Sequence, residues 1–254
     1  MKRSQLKAFL IEKAEYYNSP DFIKDDPISI PHQFKDKRDI EISGFLIATI
    51  AWGNRRSILN SGAKLLDIMG NAPYDFVLNH QPKDLKACQG FVHRTFNEED
   101  LMYFFYALQR IYTMYTDLES CFSAKLKAND LQTALHYFKT EFMGFGAPKR
   151  TQKHVSDPLK NSAAKRLNMM LRWFVRQDEK GVDFGIWRSI SPSLLSCPLD
   201  VHSGRVARTL GLLKRKQNDA KALQELDHSL RALDPKDPVK FDFALFGLGV
   251  YEGF

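Results

Sequence analysis

Apolar residues recur every three or four positions along most of this chain, and this helical period constrains the fold more than any other feature. The clearest run lies between Glu41 and Met69, where apolar side chains share one helical face until Gly70 and Pro73 stop the pattern. A second run opens at Asn97, whose three following acids suit the positive end of a helix dipole. Alternating, strand-like patterns are scarce. The sequence therefore predicts an all-α protein.

The same period predicts further helices at 131–142, 163–176, 201–213, 220–233 and 238–247. Asn161 or Ser162 is expected to cap the second of these, because short polar side chains accept from the first free N–H groups of a helix. The segment from Lys149 to Leu159 is polar, basic and closed by Pro158, so we expect an exposed loop there. A chain of 254 residues suffices for one large domain or two small lobes.

Positive charge is concentrated in one quarter of the chain. The net charge is +7, yet residues 149–216 hold fifteen Lys and Arg against five Asp and Glu, while the remainder holds 22 bases and 25 acids. A localised basic segment favours a polyanionic partner, because each cation set against a phosphate releases condensed counterions. A solvated helix face without a partner is the alternative interpretation.

Several classes of protein are excluded by composition. No run of eighteen apolar residues occurs, so no transmembrane helix is expected. The N-terminus carries charges among its apolar positions and no cleavage site, which is typical of an amphipathic helix and not of a signal peptide. Three distant cysteines, Cys88, Cys121 and Cys197, favour neither a disulfide framework nor a cysteine-ligated metal centre. We expect a cytoplasmic protein without metal or cofactor and with no membrane partner.

The most informative segment surrounds Asp200. Pro198 fixes an extended entry, and Asp200 then stands where the N-cap carboxylate of the next helix belongs. Val201 and Val206 are expected to face inward, which leaves Arg205 and Arg208 on the outside. From these residues alone, a well-capped basic helix is the simplest interpretation.

PLDVHSGRVARTLGLL (198–213) resembles the VDTHVxRVxxRLGL signature of the helix-hairpin-helix DNA glycosylases, the superfamily of endonuclease III and the 8-oxoguanine glycosylases. Residues 41–66, EISGFLIATIAWGNRRSILNSGAKLL, resemble the helix that opens that fold, and FDFALFGLGV (241–250) resembles its closing helix. The whole chain also resembles a family of uncharacterised bacterial proteins, known as a domain of unknown function, that contain CKRLNMFLRWMVR and PLDTHTFRIARRLGLLKRK. The superfamily resemblance implies that Asp200 is the catalytic carboxylate.

The hairpin departs from the superfamily pattern. WRSISPSLLSCPLD precedes Asp200 and lacks the glycine pair and the lysine of the usual LPGVGxxTA hairpin, and no iron–sulfur ligands follow Leu213. In the archaeal 8-oxoguanine glycosylases the catalytic lysine lies on a helix well upstream, and AAKRLNMMLRWF resembles that arrangement. This resemblance implies that Lys165 is the nucleophile, with Arg166 beside it as a neighbouring cation. An exposed helix lysine is the alternative.

The implied reaction assigns further roles. A carboxylate near the sugar would stabilise the oxocarbenium-like transition state, and a neutral amine would attack C1′. A flipped base needs apolar walls, for which the candidates are Trp52, Trp173, Phe174 and Trp187, with core packing as the alternative for each. The candidates for DNA contacts are Asn54, Arg55, Arg56, His202, Arg205 and Arg208; a surface loop at 54–56 and a simple cap at His202 are the alternatives.

The resemblance also implies two helical lobes of a helix-hairpin-helix glycosylase type with a divergent hairpin. Residues 39–196 would form a helical barrel, 197–254 a C-terminal lobe, and 1–38 an N-terminal helix packed with that lobe. The expected function is removal of a damaged base, an oxidised purine being one candidate, from duplex DNA by a monomer, with lyase activity through a Schiff base. A non-catalytic DNA-binding module and a helical RNA-binding or protein-interaction domain on the same fold are the alternatives.

Overall fold

The computed structural model describes residues 2–126 and 130–254, and the described chain is all-α, as the sequence predicts. Its helices are Arg3–Tyr17 (α1), Pro20–Asp25 (α2), Lys37–Ile50 (α3), Arg55–Ile68 (α4), Pro73–Asn79 (α5), Glu98–Met114 (α6), Leu118–Ser123 (α7), Leu131–Gly144 (α8), Lys165–Val175 (α9), Val201–Thr209 (α10), Ala220–Leu233 (α11) and Phe241–Tyr251 (α12). Val92–His93 (β1) and Phe96–Asn97 (β2) form a short antiparallel hairpin. None of the described helices is long and apolar enough to cross a membrane.

Contacts divide the chain into two units. Unit 1 comprises residues up to 24 together with 157–254, and unit 2 comprises 25–156. In unit 1, α1 and α10 both pack against α12. The predicted division assigned 157–196 to the barrel, whereas contacts group this segment with the C-terminal helices. The reason is that arginines of α9 pair with carboxylates of unit 1, as described below.

Unit 1 contains an apolar cluster contributed mainly by α1, α10, α11 and α12. Leu10, Val206, Leu226 and Leu245 are among its fully buried members. In α11 the buried leucines recur at the helical spacing, which is why the sequence predicted the bounds of this helix correctly.

The core of unit 2 is a cluster of phenylalanine rings. The rings of Phe45 of α3, Phe104 of α6 and Phe142 of α8 contact one another: the Phe45 centroid lies 5.7 Å from that of Phe104 and 5.2 Å from that of Phe142, and the last two are 5.0 Å apart. Phe122 of α7 stacks on Phe138 of α8 at 4.2 Å. These large rings bury extensive apolar area, and they join four helices into one core.

A glutamate is buried inside unit 2. Glu41 of α3 accepts hydrogen bonds from the Tyr112 hydroxyl at 2.8 Å and from the backbone N–H of Leu118 at 3.1 Å. Burial raises the pKa of Glu41 to about 7. The carboxyl group thus connects α3 to α6 and to the first turn of α7.

One helical run is divided and one local prediction is wrong. The run from Glu41 to Met69 comprises two helices, because the chain breaks at 51–54 and Asn54 caps α4 by accepting from the backbone N–H of Ser57. Residues 149–159 are not an exposed loop, since they form 3₁₀ turns in which Thr151 is fully buried. The Thr151 hydroxyl donates to buried Asp100 at 2.7 Å, so this polar segment is held inside by a polar partner.

Candidate active site

Asp200 is the N-cap of α10. Its Oδ1 accepts from the backbone N–H groups of His202 and Ser203, each at 2.8 Å. The Ser203 hydroxyl donates to the same Oδ1 at 3.1 Å and accepts from the N–H of Asp200 at 2.9 Å. One carboxylate oxygen is therefore fully committed to the start of the helix, which fixes the direction of the other.

That other oxygen faces Lys165. Lys165 is the first residue of α9, and its Nζ lies 3.8 Å from Asp200 Oδ2. The side chain of Lys165 is 34% exposed and that of Asp200 is 13% exposed, so solvent can reach both. An ion pair this exposed contributes only about 0–1 kcal/mol to stability. The predicted amine and carboxylate are thus brought together, although their roles stay predictions.

The backbone at Ala164, directly before Lys165, is strained. Ala164, and neither Asn161 nor Ser162, is the N-cap of α9, and it has left-handed φ and ψ angles of 43° and 38°. A side chain with a Cβ disfavours this region by about 1–2 kcal/mol. The predicted caps are wrong because Ser162 instead accepts from the N–H of Ala164 at 3.1 Å, one turn too early to reach α9.

The segment before α11 makes hydrogen bonds to Asp200, at the start of α10, and to Asn161, which precedes α9. Asn218 donates through Nδ2 to the backbone carbonyl oxygen of Asp200 at 2.7 Å. Asn161 accepts at its backbone oxygen from the N–H of Ala220 at 3.2 Å, and its side chain donates to Asp219 at 3.4 Å. The entries to α9 and α10 are consequently tied to one short segment, residues 218–220.

A glycine makes room for this support. A Cβ on Gly204 of α10 would lie 2.8 Å from both Asn218 Oδ1 and Arg208 Nη1, closer than real Cβ atoms come. The Arg208 guanidinium donates to Asn218 Oδ1 at 2.6 Å and to the backbone oxygen of Arg215 at 2.8 Å. Glycine at position 204 lets the Asn218 side chain reach Asp200.

Behind the pair, the polar face of α9 is buried in ion pairs. Arg172 pairs with Asp242 of α12 and, at 3.2 Å, with Asp183, which also pairs with Arg176 at 3.2 Å. Burial raises the pKa of Asp242 to about 6, Arg172 opposes that rise, and the neighbouring charge of Asp200 adds to it. Arg172 therefore connects α9 to α12, and Arg176 connects the end of α9 to the segment that contains Asp183.

The connection between α9 and α10 is the segment predicted to replace the usual hairpin. It contains one 3₁₀ turn, Pro192–Leu194, and no helix. Arg231 of α11 donates to the backbone oxygens of Ser193, Leu194 and Leu195 at 2.8–3.2 Å. The segment is thus a long, anchored connection and not a tight helix-hairpin-helix turn.

The predicted base-pocket aromatics divide into two groups. Trp173, Phe174 and Trp187 of unit 1 have at most 1% of their surface exposed, and Phe174 packs on Trp187 at 5.2 Å. In this structure they lie in the core and offer no surface to a base. Trp52, in unit 2, is half-buried.

The predicted DNA-contact residues also occupy different environments. Arg205 is exposed and donates to the backbone oxygen of Gly249 at 2.8 Å. Arg208 is engaged with the loop before α11, as described above. His202 lies edge-on to Phe246 with centroids 6.3 Å apart. In unit 2, Asn54 is a helix cap, Arg55 is half-buried and Arg56 is exposed.

The supporting residues were not identified from sequence. Ser203 has a local signal, because D-x-x-S at a helix start forms a capping box. Asn218 and Gly204 have no such local signal, since their contribution depends on a contact between α10 and the segment before α11. Within residues 2–126 and 130–254, no group of three or more His, Cys, Asp or Glu side chains is arranged to hold a metal ion.

The comparisons with known proteins agree with the whole-chain resemblance to an uncharacterised family. No curated protein and no solved structure matches the chain. A family model matches residues 26–251, which include nearly all of unit 2 and both Lys165 and Asp200. The chain therefore belongs to the family described as protein of unknown function DUF2400.

Proposed function

We propose that this protein is a base-excision DNA glycosylase that removes a damaged base from duplex DNA, with lyase activity through Lys165. The observation that carries the proposal is the 3.8 Å approach of Lys165 Nζ to Asp200 Oδ2, on side chains that remain partly exposed. An amine and a carboxylate that can flank one sugar carbon are the two groups this reaction needs.

The chemistry assigns each group a step. The Lys165 ammonium first gives a proton to Asp200 Oδ2. The neutral amine then forms a bond to C1′ while the glycosidic bond breaks, and the base leaves with that electron pair and takes the proton from Asp200. Asp200 next accepts the proton that Nζ loses and gives it to the ring oxygen as the C1′–O4′ bond opens to a Schiff base. The carboxylate so restored accepts the C2′ proton, and the phosphate at C3′ leaves with the electrons of its C–O bond.

The geometry of Asp200 suits stabilisation of a sugar cation. Three hydrogen bonds to Oδ1 hold the carboxylate in one orientation. A negative charge that is already oriented needs no reorganisation when positive charge develops on the sugar, which is why such groups lower barriers more than water does. The fixed orientation of Oδ2 supports a role beyond capping.

The proposed substrate class is an oxidised purine, which follows from the archaeal resemblance at Lys165. The walls of a base pocket belong to groups other than Trp173, Phe174 and Trp187, because these rings are enclosed in the core. The polyanionic partner is supported by exposed cations of unit 1: Lys160, Arg188, Arg205, Lys214 and Lys216.

A nucleic-acid-binding module without catalysis is the second candidate. It is favoured by the capping bonds of Asp200, which already give this carboxylate a structural role. On that alternative Lys165 is a surface lysine that pairs with a helix cap.

Borohydride trapping separates the two candidates. Borohydride reduces a Schiff base to a stable amine, so a lyase becomes covalently attached to its DNA. We expect the purified protein to form a trapped adduct with at least one member of a panel of damaged duplexes, and Lys165→Gln to abolish it.

Lys180→Gln is the matched control. Lys180 is another lysine of unit 1, with 45% of its side chain exposed and a 3.1 Å pair with Glu15. The same substitution there removes the same charge and should leave the adduct unchanged. An adduct that survives Lys165→Gln, or is lost in both variants, would contradict the role of Lys165. Binding without any adduct across the panel would favour the module.

A further inference from the structure

A tryptophan and an arginine are stacked in unit 2. The guanidinium carbon of Arg94 lies 5.1 Å from the centroid of the Trp52 ring. Trp52 follows α3 and is half-buried, whereas Arg94 is exposed at the turn between β1 and β2. The pair joins two loops that are distant in sequence.

Local conformational preference opposes an arginine at this turn. The register pairs His93 with Phe96, so Arg94 and Thr95 form a two-residue turn, and Arg94 has a φ of +56°. Such positions favour Gly, Asn or Asp, because a larger side chain is strained in the left-handed region. The turn itself therefore gives no reason for arginine, which points to a role for its guanidinium.

The surroundings accommodate that guanidinium. A Cβ on Gly53 would lie 2.7 Å from Arg94 Nη1, and Gly53 itself has a φ of +102°. Glycine beside Trp52 is thus favoured by its backbone angle, and a Cβ at this position would displace the Arg94 guanidinium. The stacked arrangement thus involves two turns with positive φ angles, one at Gly53 and one at Arg94.

A buried histidine holds the two loops together. His93 Nε2 donates to the backbone oxygen of Trp52 at 3.2 Å, and its Nδ1 accepts from the Ser61 hydroxyl at 2.9 Å, a pattern that one neutral tautomer satisfies. Burial lowers the pKa of His93, which favours that neutral form. On the other side of the turn, Arg150 donates to the backbone oxygen of Thr95 at 3.2 Å. These hydrogen bonds of His93 and Arg150 therefore fix the two loops that carry Trp52 and Arg94.

Further positive charge lies close in sequence. Arg55 and Arg56 open α4, three and four residues after Trp52, and Arg56 is exposed. An indole face beside guanidinium groups is the combination by which proteins hold single-stranded nucleic acid, since bases stack on the ring and cations meet the phosphates.

We propose that Trp52 and Arg94 form a nucleic-acid contact in which an unpaired base stacks on the indole and Arg94 pairs with a phosphate. When the guanidinium turns to a phosphate, the indole face that it covers becomes available to the base. The contact shares the nucleic-acid partner of the proposed function, but it needs no catalysis and rests on residues of unit 2 alone.

Tryptophan fluorescence can test this contact directly. The chain has three tryptophans, and Trp173 and Trp187 have 0% and 1% of their surface exposed, so quenching by a bound base reports on Trp52. We expect a single-stranded oligothymidylate to quench the full-length protein saturably. Trp52→Phe should abolish that quenching, because it removes the reporting indole, and Trp52→Ala should weaken binding at least fivefold, as the loss of one base stack does.

Arg94→Gly keeps the test independent of folding. Glycine adopts a positive φ without strain, so the melting temperature should stay the same or rise. Affinity should nevertheless fall, and the slope of log affinity against log salt should become shallower by about 0.7, the loss of one phosphate contact on a single strand. Arg38→Ala is the matched control, because Arg38 also stacks on an aromatic ring in unit 2, that of Tyr74 at 4.0 Å, but pairs with Asp36.

The outcomes separate this contact from the proposed active site. Lys180→Gln, the control variant of unit 1, should leave the quenching unchanged. Absence of quenching at saturating oligonucleotide, or equal affinity in the wild type, Trp52→Ala and Arg94→Gly proteins, would overturn the contact. Either result would leave the borohydride adduct, and hence the proposed function, to be judged separately.

Discussion

The side-chain amide of Asn218 donates to the backbone carbonyl oxygen of Asp200 at 2.7 Å, so the residue that caps α10 is held by the segment that opens α11. The same amide accepts from Arg208 at 2.6 Å and lies over Gly204. The position of the candidate carboxylate therefore depends on a contact between helices as well as on its own capping box.

Removal of this support should destabilise the fold around Asp200. Asn218→Ala deletes two hydrogen bonds, and we expect the free energy of unfolding to fall by about 1–2 kcal/mol. Gly204→Ala should act in the same direction, although alanine favours an isolated helix by about 1 kcal/mol, because its Cβ displaces Asn218. Chemical denaturation measures both. Gln217→Ala, at an exposed neighbour, is the control and should change stability little; a Gly204→Ala protein more stable than wild type would contradict the account.

Substitutions of the two candidate catalytic residues, Lys165 and Asp200, should have different effects. Asp200→Asn keeps the acceptor that caps α10, since asparagine is also a good N-cap, but it sets a neutral amide opposite Lys165. Base release should slow by about two to four powers of ten, or roughly 3–5 kcal/mol of barrier, measured in single-turnover assays on the substrate that traps. Asp200→Ala also removes the cap and should cost about 1 kcal/mol of stability. A silent Asp200→Asn variant would reduce Asp200 to a cap.

The cations of the basic segment should separate into binding and structural groups. Lys214 and Lys216 are exposed, so replacing both with alanine should leave the melting temperature unchanged and make the slope of log DNA affinity against log salt shallower by about 2. Arg208→Ala should instead lower the melting temperature, because its guanidinium bonds the loop before α11. A large loss of stability in the double lysine variant, or none in Arg208→Ala, would reverse this assignment.

Elements with strong local signals could be predicted from the sequence. The bounds of α11 follow from its leucine spacing. Asn97 and Asp200 are caps because their side-chain oxygens accept from backbone N–H groups in the turn that follows them. Val201 was predicted to face inward yet is 73% exposed, because the first residue of α10 points away from the core that Val206 enters. Local pattern thus identifies a helix more reliably than the orientation of its first turn.

Features that depend on non-local pairing could not be predicted. Arg172 is buried because Asp183 and Asp242 reach it from other segments, and no periodicity reveals such partners. The β1–β2 hairpin was missed because its turn residues, Arg94 and Thr95, carry none of the usual turn signals. The approach of Lys165 to Asp200 was expected from resemblance only; their spacing in sequence would not have given it.

The last prediction concerns pH and uses Glu41, whose carboxyl group is enclosed between α3, α6 and α7. Burial raises its pKa to about 7, so the folded protein holds this proton more tightly than the unfolded chain does. A raised pKa contributes stability that is fully present below the pKa of the unfolded chain and is lost as pH rises through the folded value. Asp227 and Asp242, whose pKa burial raises to about 6, act in the same sense.

We therefore expect the stability that Glu41 contributes to be lost between about pH 4.5 and pH 7, a decrease of up to roughly 3 kcal/mol in the free energy of unfolding. Glu41→Gln should flatten the curve, because glutamine is neutral at every pH and can still accept from Tyr112. Thermal denaturation across this pH range measures the effect, and the readout is the slope, so a uniform cost of the substitution does not interfere. Glu12→Gln, at an exposed position of α1, should leave the slope as it is. A Glu41→Gln curve parallel to that of the wild type would mean that Glu41 is ionised in the folded protein throughout, with Lys37, 4.0 Å away, offsetting its burial.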